Sequence, residues 1–205
     1  MNANIIPDIV ISRLPRYLQT LQRMVAAGVH TTSSKELGEI LGISAAQIRK
    51  DLSQFGEFGK QGTGYRIDHL QEQLKKILKV NREWAVALIC VGDLGHALVR
   101  YGGFKNRGFQ IVLAFDNDPI KIGGKVGELI IQDVANLPEM TKKYNVQVVM
   151  LTVPANAAQS IAEMCVKAGI TAFLNYAPIN LKLPESIHVQ YTDPVTHLQR
   201  MTYYL

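Results

Sequence analysis

Two polar segments that follow apolar runs contain residues whose types and spacing suit the binding of a dinucleotide. Residues 84–91 are nearly all apolar and lead into Gly92-Asp93-Leu94-Gly95, and a second apolar run, 110–115, ends at Asp116. A glycine turn between a strand and a helix lets a pyrophosphate approach the backbone, and an acid at the end of the next strand holds a ribose diol. This spacing predicts an NAD(H) site, because the charge of Asp116 would repel the 2′-phosphate of NADP(H).

The glycine turn departs from the Gly-x-Gly-x-x-Gly fingerprint at two positions. Gly92 and Gly95 match the second and third glycines, but Cys90 stands where the first is expected. If the turn needs a positive φ there, Cys90 costs about 1–2 kcal/mol, and if φ is negative a small side chain simply fits. Asp93 suits the dipole of the following helix but opposes a bound pyrophosphate. A buried, inert thiol is a more ordinary role for Cys90 than an oxidant sensor.

Apolar runs alternate with helical patterns from residue 83 onward. Strands are predicted at residues 84–91, 110–115, 128–132, 146–152 and 171–175, with helices at 133–144 and 156–168. This alternation is typical of a Rossmann-like, doubly wound parallel sheet, whose ligands lie at the carboxyl ends of the strands. The residues expected to contact the ligand there are Val91, Gly92, Asp93, Leu94, Gly95, His96, Asp116, Thr152, Val153, Pro154, Asn175, Ala177 and Pro178.

His96 is the one residue beside this turn whose chemistry would suit catalysis. The sequence offers it no acid–base partner, and it shows no nucleophile elbow and no metal-binding cluster. We therefore expect no enzyme, no catalytic residue and no metal site.

The positive charge of the chain is confined to its first 82 residues. That part has 12 Lys+Arg against 7 Asp+Glu, whereas the remainder has 10 of each, so all of the net +5 lies at the front. A basic part joined to a neutral part indicates that one half meets a polyanion. Two cysteines, no apolar run of membrane length and no signal-peptide pattern favour a cytoplasmic protein without a membrane span.

Capping signals in the basic part predict a helix-turn-helix pair. Ser33 with Glu36 forms a capping box, Gly42 ends that helix, and Ser44 with Gln47 caps the next one at about residues 45–55. A preceding helix, capped by Ser12 and ended by Gly28, is predicted from the spacing of its apolar residues. The predicted inward-facing residues of the three helices are Leu14, Tyr17, Leu18, Leu21, Val25, Leu37, Ile40, Leu41, Ile48, Leu52 and Phe55.

The second helix of such a pair enters the major groove of DNA with its N-terminal part leading. Arg49 suits guanine edges, Gln47 suits adenine edges, and Lys50 or Ser53 suits phosphates. On an isolated helix Arg49 and Lys50 would be ordinary solvated charges. The capped helix pair and the basic composition favour DNA contact instead.

Four glycines in residues 56–66 predict a tight hairpin, which after such a helix is typical of the wing of a winged helix. Lys60 and Arg66 would serve this wing. A last amphipathic helix begins near Ile67, and residues 79–83 are the predicted linker. The complete set expected to contact DNA is Ser34, Gln47, Arg49, Lys50, Ser53, Lys60, Tyr65 and Arg66.

The order of the motifs resembles the Rex family of redox-sensing transcriptional repressors over essentially the whole chain. The segments that carry the resemblance are Ser33-Ser34-Lys35-Glu36-Leu37-Gly38, Gln47-Ile48-Arg49-Lys50-Asp51-Leu52-Ser53, Phe55-Gly56-Glu57-Phe58-Gly59-Lys60, residues 62–65, Asp116-Asn117-Asp118-Pro119, Thr152-Val153-Pro154, Asn175-Tyr176-Ala177-Pro178 and Tyr203-Tyr204-Leu205. The resemblance implies a homodimer with an N-terminal winged helix-turn-helix domain (1–82), a Rossmann NAD(H)-binding domain (83–192) and a C-terminal domain-swapped helix (193–205).

The resemblance also implies a function. The family binds palindromic operator DNA, represses genes of NADH-consuming metabolism and is released by NADH, with which NAD⁺ competes weakly. Tyr101 is then expected near the nicotinamide, and Asp193 and Arg16 at a switch contact between domains. The family often has Arg where Gln19 stands, which puts an Arg–Asp switch contact in question.

Three functions follow as hypotheses. The first is a redox-sensing repressor released by NADH. The second is a repressor of the same fold that has lost or altered NADH control, motivated by Cys90, Asp93 and Gln19. The third is an NAD-dependent oxidoreductase with an extra helical domain, for which no acid–base group can be assigned.

Overall fold

The computed structural model describes residues 6–59 and 64–205 of the 205-residue chain. The chain divides into two compact units, Met1–Arg82 and Glu83–Leu205. Within the described ranges, no helix has both the length and the apolar character that crossing a membrane requires.

The first unit is helical and carries one small antiparallel sheet. Its elements are α1 (Asp8–Ile11), α2 (Leu14–Ala26), β1 (Thr31–Thr32), α3 (Ser34–Leu41), α4 (Ala45–Ser53), β2 (Tyr65–Arg66) and α5 (Ile67–Ile77). Apolar side chains of α2, α3, α4 and α5 form a single core, which buries Leu21, Leu37, Ile48 and Leu70 among others. The core therefore fixes the position of α4 relative to the other three helices.

The predicted start of α2 is wrong in one detail. Ser12 does not cap it: the residue before the helix is Arg13, and the Ser12 hydroxyl donates to the carbonyl of Ile9 at 3.0 Å. The reason is α1, a single turn that was not predicted from the sequence and whose C-cap is Ser12. Pro15 lies in the first turn of α2 as expected, where its missing N–H costs little.

The capped helix pair is confirmed. Ser33 and Glu36 make both hydrogen bonds of the capping box, and the Ser44 side chain accepts from the Gln47 N–H. Gly42 ends α3 with a φ of 66°, in the left-handed region that favours glycine. Ile40 was wrongly predicted to face inward and is 59% exposed, because the apolar stripe of α3 is narrower than expected.

The helix α4 ends two residues earlier than predicted. Phe55 follows it and still packs, half-buried, against the core.

The predicted wing is described only in part. Lys60 and residues 61–63 lie outside the described residues. The strand pairing found here joins β2 to β1, with Thr31 opposite Arg66, rather than to residues 56–59. Gly59 and Gly64 lie side by side, since a Cβ on Gly59 would come within 2.5 Å of the Gly64 carbonyl oxygen.

The second unit is a mostly parallel sheet with helices on both faces. Its elements are β3 (Trp84–Ile89), α6 (Asp93–Arg100), β4 (Phe109–Asp116), β5 (Lys125–Val126), β6 (Leu129–Asp133), α7 (Leu137–Lys143), β7 (Val148–Leu151), α8 (Ala155–Lys167), β8 (Ala172–Asn175), β9 (His188–Tyr191) and α9 (Pro194–Thr202). The strand order of the seven-stranded sheet is β5-β6-β4-β3-β7-β8-β9, and only the β5–β6 pair is antiparallel. The Rossmann-like prediction is confirmed.

Alternate side chains of the central strand enter two different cores. Ala87 and Ile89 pack in the core that contains residues of α7 and α8, whereas Val86 and Leu88 pack in the core on the α6 side. Helices thus cover both faces of the sheet, as in a doubly wound fold. The strands β5 and β9 were not predicted, because both are short and largely polar or exposed.

The C-terminal helix α9 has no buried residue. Its cap is Asp193, whose side chain accepts from the Val195 N–H at 2.9 Å. Val195, Leu198 and Met201 follow helical spacing and are each more than half exposed. An apolar stripe therefore remains uncovered in this single chain.

Candidate functional site

The carboxyl ends of β3, β4 and β7 surround a cavity of about 430 Å³. It is lined by Ile89, Cys90, Asp116, Asn117, Asp118, Lys121, Val134, Val153, Pro154, Asn156, Ala157 and Ile161. Four predicted ligand-contacting or fingerprint residues, Cys90, Asp116, Val153 and Pro154, are thereby brought together. The cavity lies where an open sheet of this type binds its ligands.

The turn after β3 shows what Cys90 costs. Its φ is 78°, so a non-glycine residue occupies a left-handed position, at a cost of about 1–2 kcal/mol. Gly92 has an extended backbone and open space around its missing Cβ, as close approach of a pyrophosphate requires. A Cβ on Gly95 would collide with the Cys90 carbonyl oxygen, so Gly95 permits the close packing of α6 on β3.

The two thiols are poorly suited to redox chemistry. Burial, together with the charge of Asp116, raises the pKa of Cys90. Burial raises the pKa of Cys165 to about 12. Both therefore carry their proton at neutral pH, and the thiolate is the reactive form.

Asp116 ends β4 as predicted, but both oxygens of its carboxylate already accept hydrogen bonds from protein groups. One oxygen accepts from the Val91 N–H at 2.8 Å and from Lys121 Nζ at 3.2 Å. The other accepts from the N–H groups of Asn117 and Asp118 at 2.9 and 3.0 Å. Burial opposes ionisation, yet these hydrogen bonds outweigh it and lower the pKa of Asp116. The residue is 3% exposed and has no lone pair left over.

Residues along α6 occupy the far side of the glycine turn. Asp93 and Leu94 begin the helix and are exposed, and the His96 N–H donates to the Gly92 carbonyl at 2.9 Å. Tyr101 follows the helix with an exposed ring that meets Phe104 edge-on, 5.1 Å between centroids. Among the described residues, no group of His, Cys, Asp or Glu is placed to hold a metal ion.

Two polar residues at the strand ends shape the rim of the sheet. Thr152 donates its hydroxyl to the carbonyls of Ile89 and Cys90, both at 2.8 Å, and so ties β7 to β3. Asn175 donates to the carbonyls of Ala177 and Ile179 and accepts from the Ala177 N–H. Their side chains therefore hold loops in place, and Pro178 lies exposed beside them.

In the first unit, several predicted DNA contacts share one surface. Arg49, Ser53 and Tyr65 line a depression of about 400 Å³ between α4 and residues 56–59. Arg49 donates from Nη1 to the Ser34 hydroxyl at 3.1 Å, which places Ser34 at the same surface. Lys50 is exposed on α4.

Arg66 lies on β2, outside the residues that line this depression. It pairs with Asp68, but both side chains are mostly exposed, and such a pair contributes little and leaves Arg66 accessible to a phosphate.

Asp51 is a buried carboxylate on α4 to which the sequence assigned no role. It is 0% exposed and lies on the inner side of α4. Arg13 holds it with two bonds of 2.6 and 2.7 Å, the Tyr17 hydroxyl donates at 2.6 Å, and Gln47 Nε2 donates at 2.7 Å. Because Ile48 and Leu52 share its helical face, a charge at this position signals a buried partner.

The Asp51 cluster ties the proposed recognition helix to α2. Burial opposes ionisation of Asp51, but its three partners prevail and lower its pKa. Burial raises the pKa of Tyr17, and the hydrogen bond to Asp51 raises it further. The cluster also turns the amide nitrogen of Gln47 inward, since a carboxylate accepts only from the nitrogen side. The hydrogen bond to Asp51 thus fixes the orientation of the Gln47 amide.

Comparison with known proteins identifies the family. The sequence matches two family models, described as "Putative DNA-binding protein N-terminus" over residues 5–53 and "CoA binding domain" over residues 81–179. It is 49% identical over 199 residues to the redox-sensing transcriptional repressor Rex of Chloroflexus aggregans, covering 97% of this chain and 94% of the relative. The chain belongs to the Rex family. Rex of Desulforamulus reducens is 42% identical, over 100% of this chain and 98% of the relative.

Solved structures of RSP, a Rex-family repressor, share the fold. The complex of RSP with beta-NAD⁺ and operator DNA has a TM-score of 0.92 and 34% identity, over 98% of this chain and 93% of that one. The complex with beta-NADH has a TM-score of 0.90 and 32% identity, over 98% and 94%. The Rex resemblance carried by the motifs is therefore confirmed.

The residues expected at a Rex switch contact are both engaged locally. Arg16 donates to the Leu41 carbonyl at 3.2 Å, and Asp193 caps α9. Arg13, close to Arg16 in sequence, is committed to Asp51. An Arg16–Asp193 contact in this Rex-family chain stays a prediction.

Proposed function

We propose that this chain is a homodimeric redox-sensing repressor, which binds operator DNA through α4 and releases it when NADH occupies the cavity at the ends of β3, β4 and β7. The observation that carries the proposal is the full-length match to a repressor solved with both beta-NAD⁺ and operator DNA. Its role is regulatory rather than catalytic, and we expect it in the cytoplasm, where bacterial DNA lies.

The DNA-binding surface is proposed from the arrangement in the first unit. Arg49, Lys50 and Ser53 lie along the outer side of α4, and Ser34 and Tyr65 adjoin Arg49. Gln47 contributes from the inner edge of that surface, while Arg66 and Lys60 supply further positive charge for phosphates. Arg49→Ala should alter base preference at one operator position by about 1–3 kcal/mol, whereas Lys50→Ala should weaken all sequences alike.

The NAD(H) site is proposed around the turn after β3. Gly92 leaves room for the pyrophosphate, and α6 begins directly after it without a side-chain cap, so we expect its first N–H groups to bind the phosphate oxygens. The proposed contacts on one side are Val91, Leu94, Gly95, His96 and Tyr101. Those proposed on the other side are Thr152, Val153, Pro154, Asn175, Ala177 and Pro178, of which Val153 and Pro154 line the cavity.

A second copy of the chain is proposed to cover α9. The exposed stripe of Val195, Leu198 and Met201 is apolar enough to require a partner. If the helix at 193–205, which follows the Rossmann domain at 83–192, is swapped between two copies, each copy covers the apolar stripe of the other. The two winged helices at 1–82 then meet two operator half-sites. Size measurement in solution should give twice the 22.8 kDa chain mass.

The switch is tested by linkage. Fluorescence anisotropy of a labelled operator should fall as NADH is added and change much less with NAD⁺. A coupling of about 1–3 kcal/mol suffices, and saturating operator must weaken NADH binding by the same factor. If operator leaves NADH affinity unchanged while NADH still releases DNA, the proposed coupling is wrong.

One observation favours a second candidate, a repressor of the same family without NADH control. Cys90 occupies a left-handed position, and Asp93 carries a charge at the proposed pyrophosphate site. In that case operator binding is identical with and without NADH, and the double change Cys90→Gly with Asp93→Asn creates NADH binding. Equal NADH affinity in wild type and double variant dismisses the steric and charge argument, and release of operator by NADH dismisses the candidate itself.

A further inference from the structure

The carboxylate at the end of β4 cannot hold a sugar in the manner that the fingerprint predicts. A ribose diol needs a free acceptor, and Asp116 already accepts four hydrogen bonds with 3% exposure. Three of the four donors are backbone N–H groups, which cannot turn away without unfolding the loop. Asp116 therefore organises the loop and is closed to a ligand in this arrangement.

Two other residues that line the same cavity, Asp118 and Lys121, still have hydrogen-bonding groups available for a ligand. Asp118 uses one oxygen to accept from the Ile120 N–H at 2.9 Å, and within the described residues its other oxygen accepts no hydrogen bond. Lys121 gives one donor to Asp116 at 3.2 Å, and its side chain is 36% exposed. An ammonium has three N–H groups, so two of them remain for another partner.

We infer that Asp118 and Lys121, rather than Asp116, hold the adenosine ribose of the bound dinucleotide. This inference rests on the proposed function, since it names the residues that bind the sugar of NADH. Asp118 accepts from a ribose hydroxyl and Lys121 donates to a ribose oxygen. An acceptor and a donor side by side match a vicinal diol, each of whose hydroxyls both donates and accepts.

The charges at this end of the cavity determine which dinucleotide is accepted. Asp116 offsets the charge of Lys121, since their oxygen and nitrogen atoms lie 3.2 Å apart. Among the described residues, Asp118 forms no ion pair of its own, so its charge would repel a 2′-phosphate placed on the same diol. Discrimination against NADPH therefore depends on Asp118, two positions beyond the residue that the fingerprint selects.

Two substitutions in the full-length protein test the assignment. Asp118→Asn keeps an oxygen for the Ile120 N–H but replaces the free acceptor with an amide. Since hydrogen bonds to charged groups are worth about 1.5–3 kcal/mol, the Kd for NADH should rise about tenfold or more. The Kd for NADPH relative to NADH should fall at least tenfold. Lys121→Met, which keeps the aliphatic stem, should also weaken NADH about tenfold.

Asp133→Asn is the matched control. Asp133 ends the neighbouring strand β6 and also accepts one backbone N–H two residues on, from Ala135 at 2.8 Å, but it does not line the cavity. Its variant should bind both dinucleotides within about twofold of wild type. Isothermal titration with NADH and with NADPH gives all the affinities.

The outcomes separate this inference from the proposed function. If wild type binds NADH and Asp118→Asn binds NADH and NADPH each with the affinity of wild type, the assignment to Asp118 is wrong and the repressor proposal stands. Weaker NADH binding with an unchanged NADPH-to-NADH ratio also overturns it, because the carboxylate is then remote from the 2′ position. If Lys121→Met binds NADH as wild type does, Lys121 has no part. If wild type binds neither dinucleotide, both proposals fail together.

Discussion

Each of the two units contains a buried aspartate with four hydrogen-bond donors, and the donors differ in kind. Asp51 in the first unit is held by side chains of Arg13, Tyr17 and Gln47. Asp116 in the second unit is held by three backbone N–H groups and by Lys121. One carboxylate joins separate helices, and the other shapes the loop that it belongs to.

The difference predicts how each unit responds to loss of its aspartate. Without Asp51, the guanidinium of Arg13 stays largely enclosed beside a buried phenol, with no counterion. Without Asp116, Lys121 can turn to water, and only N–H groups at the strand ends lose their acceptor. A buried charge without a partner is the more costly defect.

The largest effect is expected for Asp51→Asn. Breaking a buried ion pair by removing one partner costs about 3–5 kcal/mol of unfolding free energy. Urea denaturation of the full chain, followed by circular dichroism, measures the loss. Trp84, the single tryptophan, lies in β3 of the second unit, so its fluorescence transition should not move. A shift of the Trp84 transition by Asp51→Asn would contradict the separation of the two roles.

Asp116→Asn is expected to lower the unfolding free energy by less, about 1–3 kcal/mol. The amide keeps one of the two carboxylate oxygens, so only some of the backbone N–H donors lose their acceptor. The Trp84 fluorescence transition should now shift to lower urea. The comparison between the units is broken if Asp116→Asn costs more than Asp51→Asn.

Cys90→Gly should stabilise the second unit by about 1 kcal/mol at most. It removes the left-handed strain at φ 78°, but glycine loses more chain entropy on folding and so returns part of the gain. The same Trp84 transition reports it. Cys165→Gly is not an equivalent change, because Cys165 is fully buried in the core. A destabilised Cys90→Gly variant would show that the thiol packs more favourably than its backbone suggests.

The smallest effect is expected on the pH dependence of the unfolding free energy near pH 4. Both aspartates have pKa values below their ordinary ones, so the folded protein binds these protons less tightly than the unfolded chain does. Their stabilisation is fully present above the unfolded value of about 3.9 and is lost as pH falls through the lower folded values. Between pH 5 and pH 3, Asp51→Asn should lose less stability than wild type does in the circular dichroism transition. Equal slopes would mean that the pKa of Asp51 is the same in the folded and the unfolded protein.

The sequence predicted what depends on local signals. The capping residues Ser33, Glu36 and Ser44 fixed the helix pair because their bonds span three residues. Apolar runs predicted the central strands, since strands buried on both faces are apolar throughout. Short or exposed strands such as β9 were not predicted, because four residues with little burial show no periodic pattern of apolar residues.

The candidate site was predicted less completely, for a different reason. Asp116 was placed correctly at a strand end, but its four donors depend on how the following loop turns. Asp51 was missed because its partners Arg13 and Tyr17 lie 38 and 34 residues away in the sequence. The partners in such a pair can be identified only from the tertiary structure. A charged residue on the apolar face of a helix does indicate that it has a buried partner.

If Gln47 reads a base as proposed, its bond to Asp51 limits how that base preference can be re-engineered. A long cation introduced at position 47 would compete with Arg13 for the same carboxylate, and an apolar residue would leave one acceptor of Asp51 empty. New operator specificity at position 47 thus has to be designed as a coupled change with position 51 and its neighbours. A library that varies position 47 alone would discard variants with useful base preferences because they fold poorly.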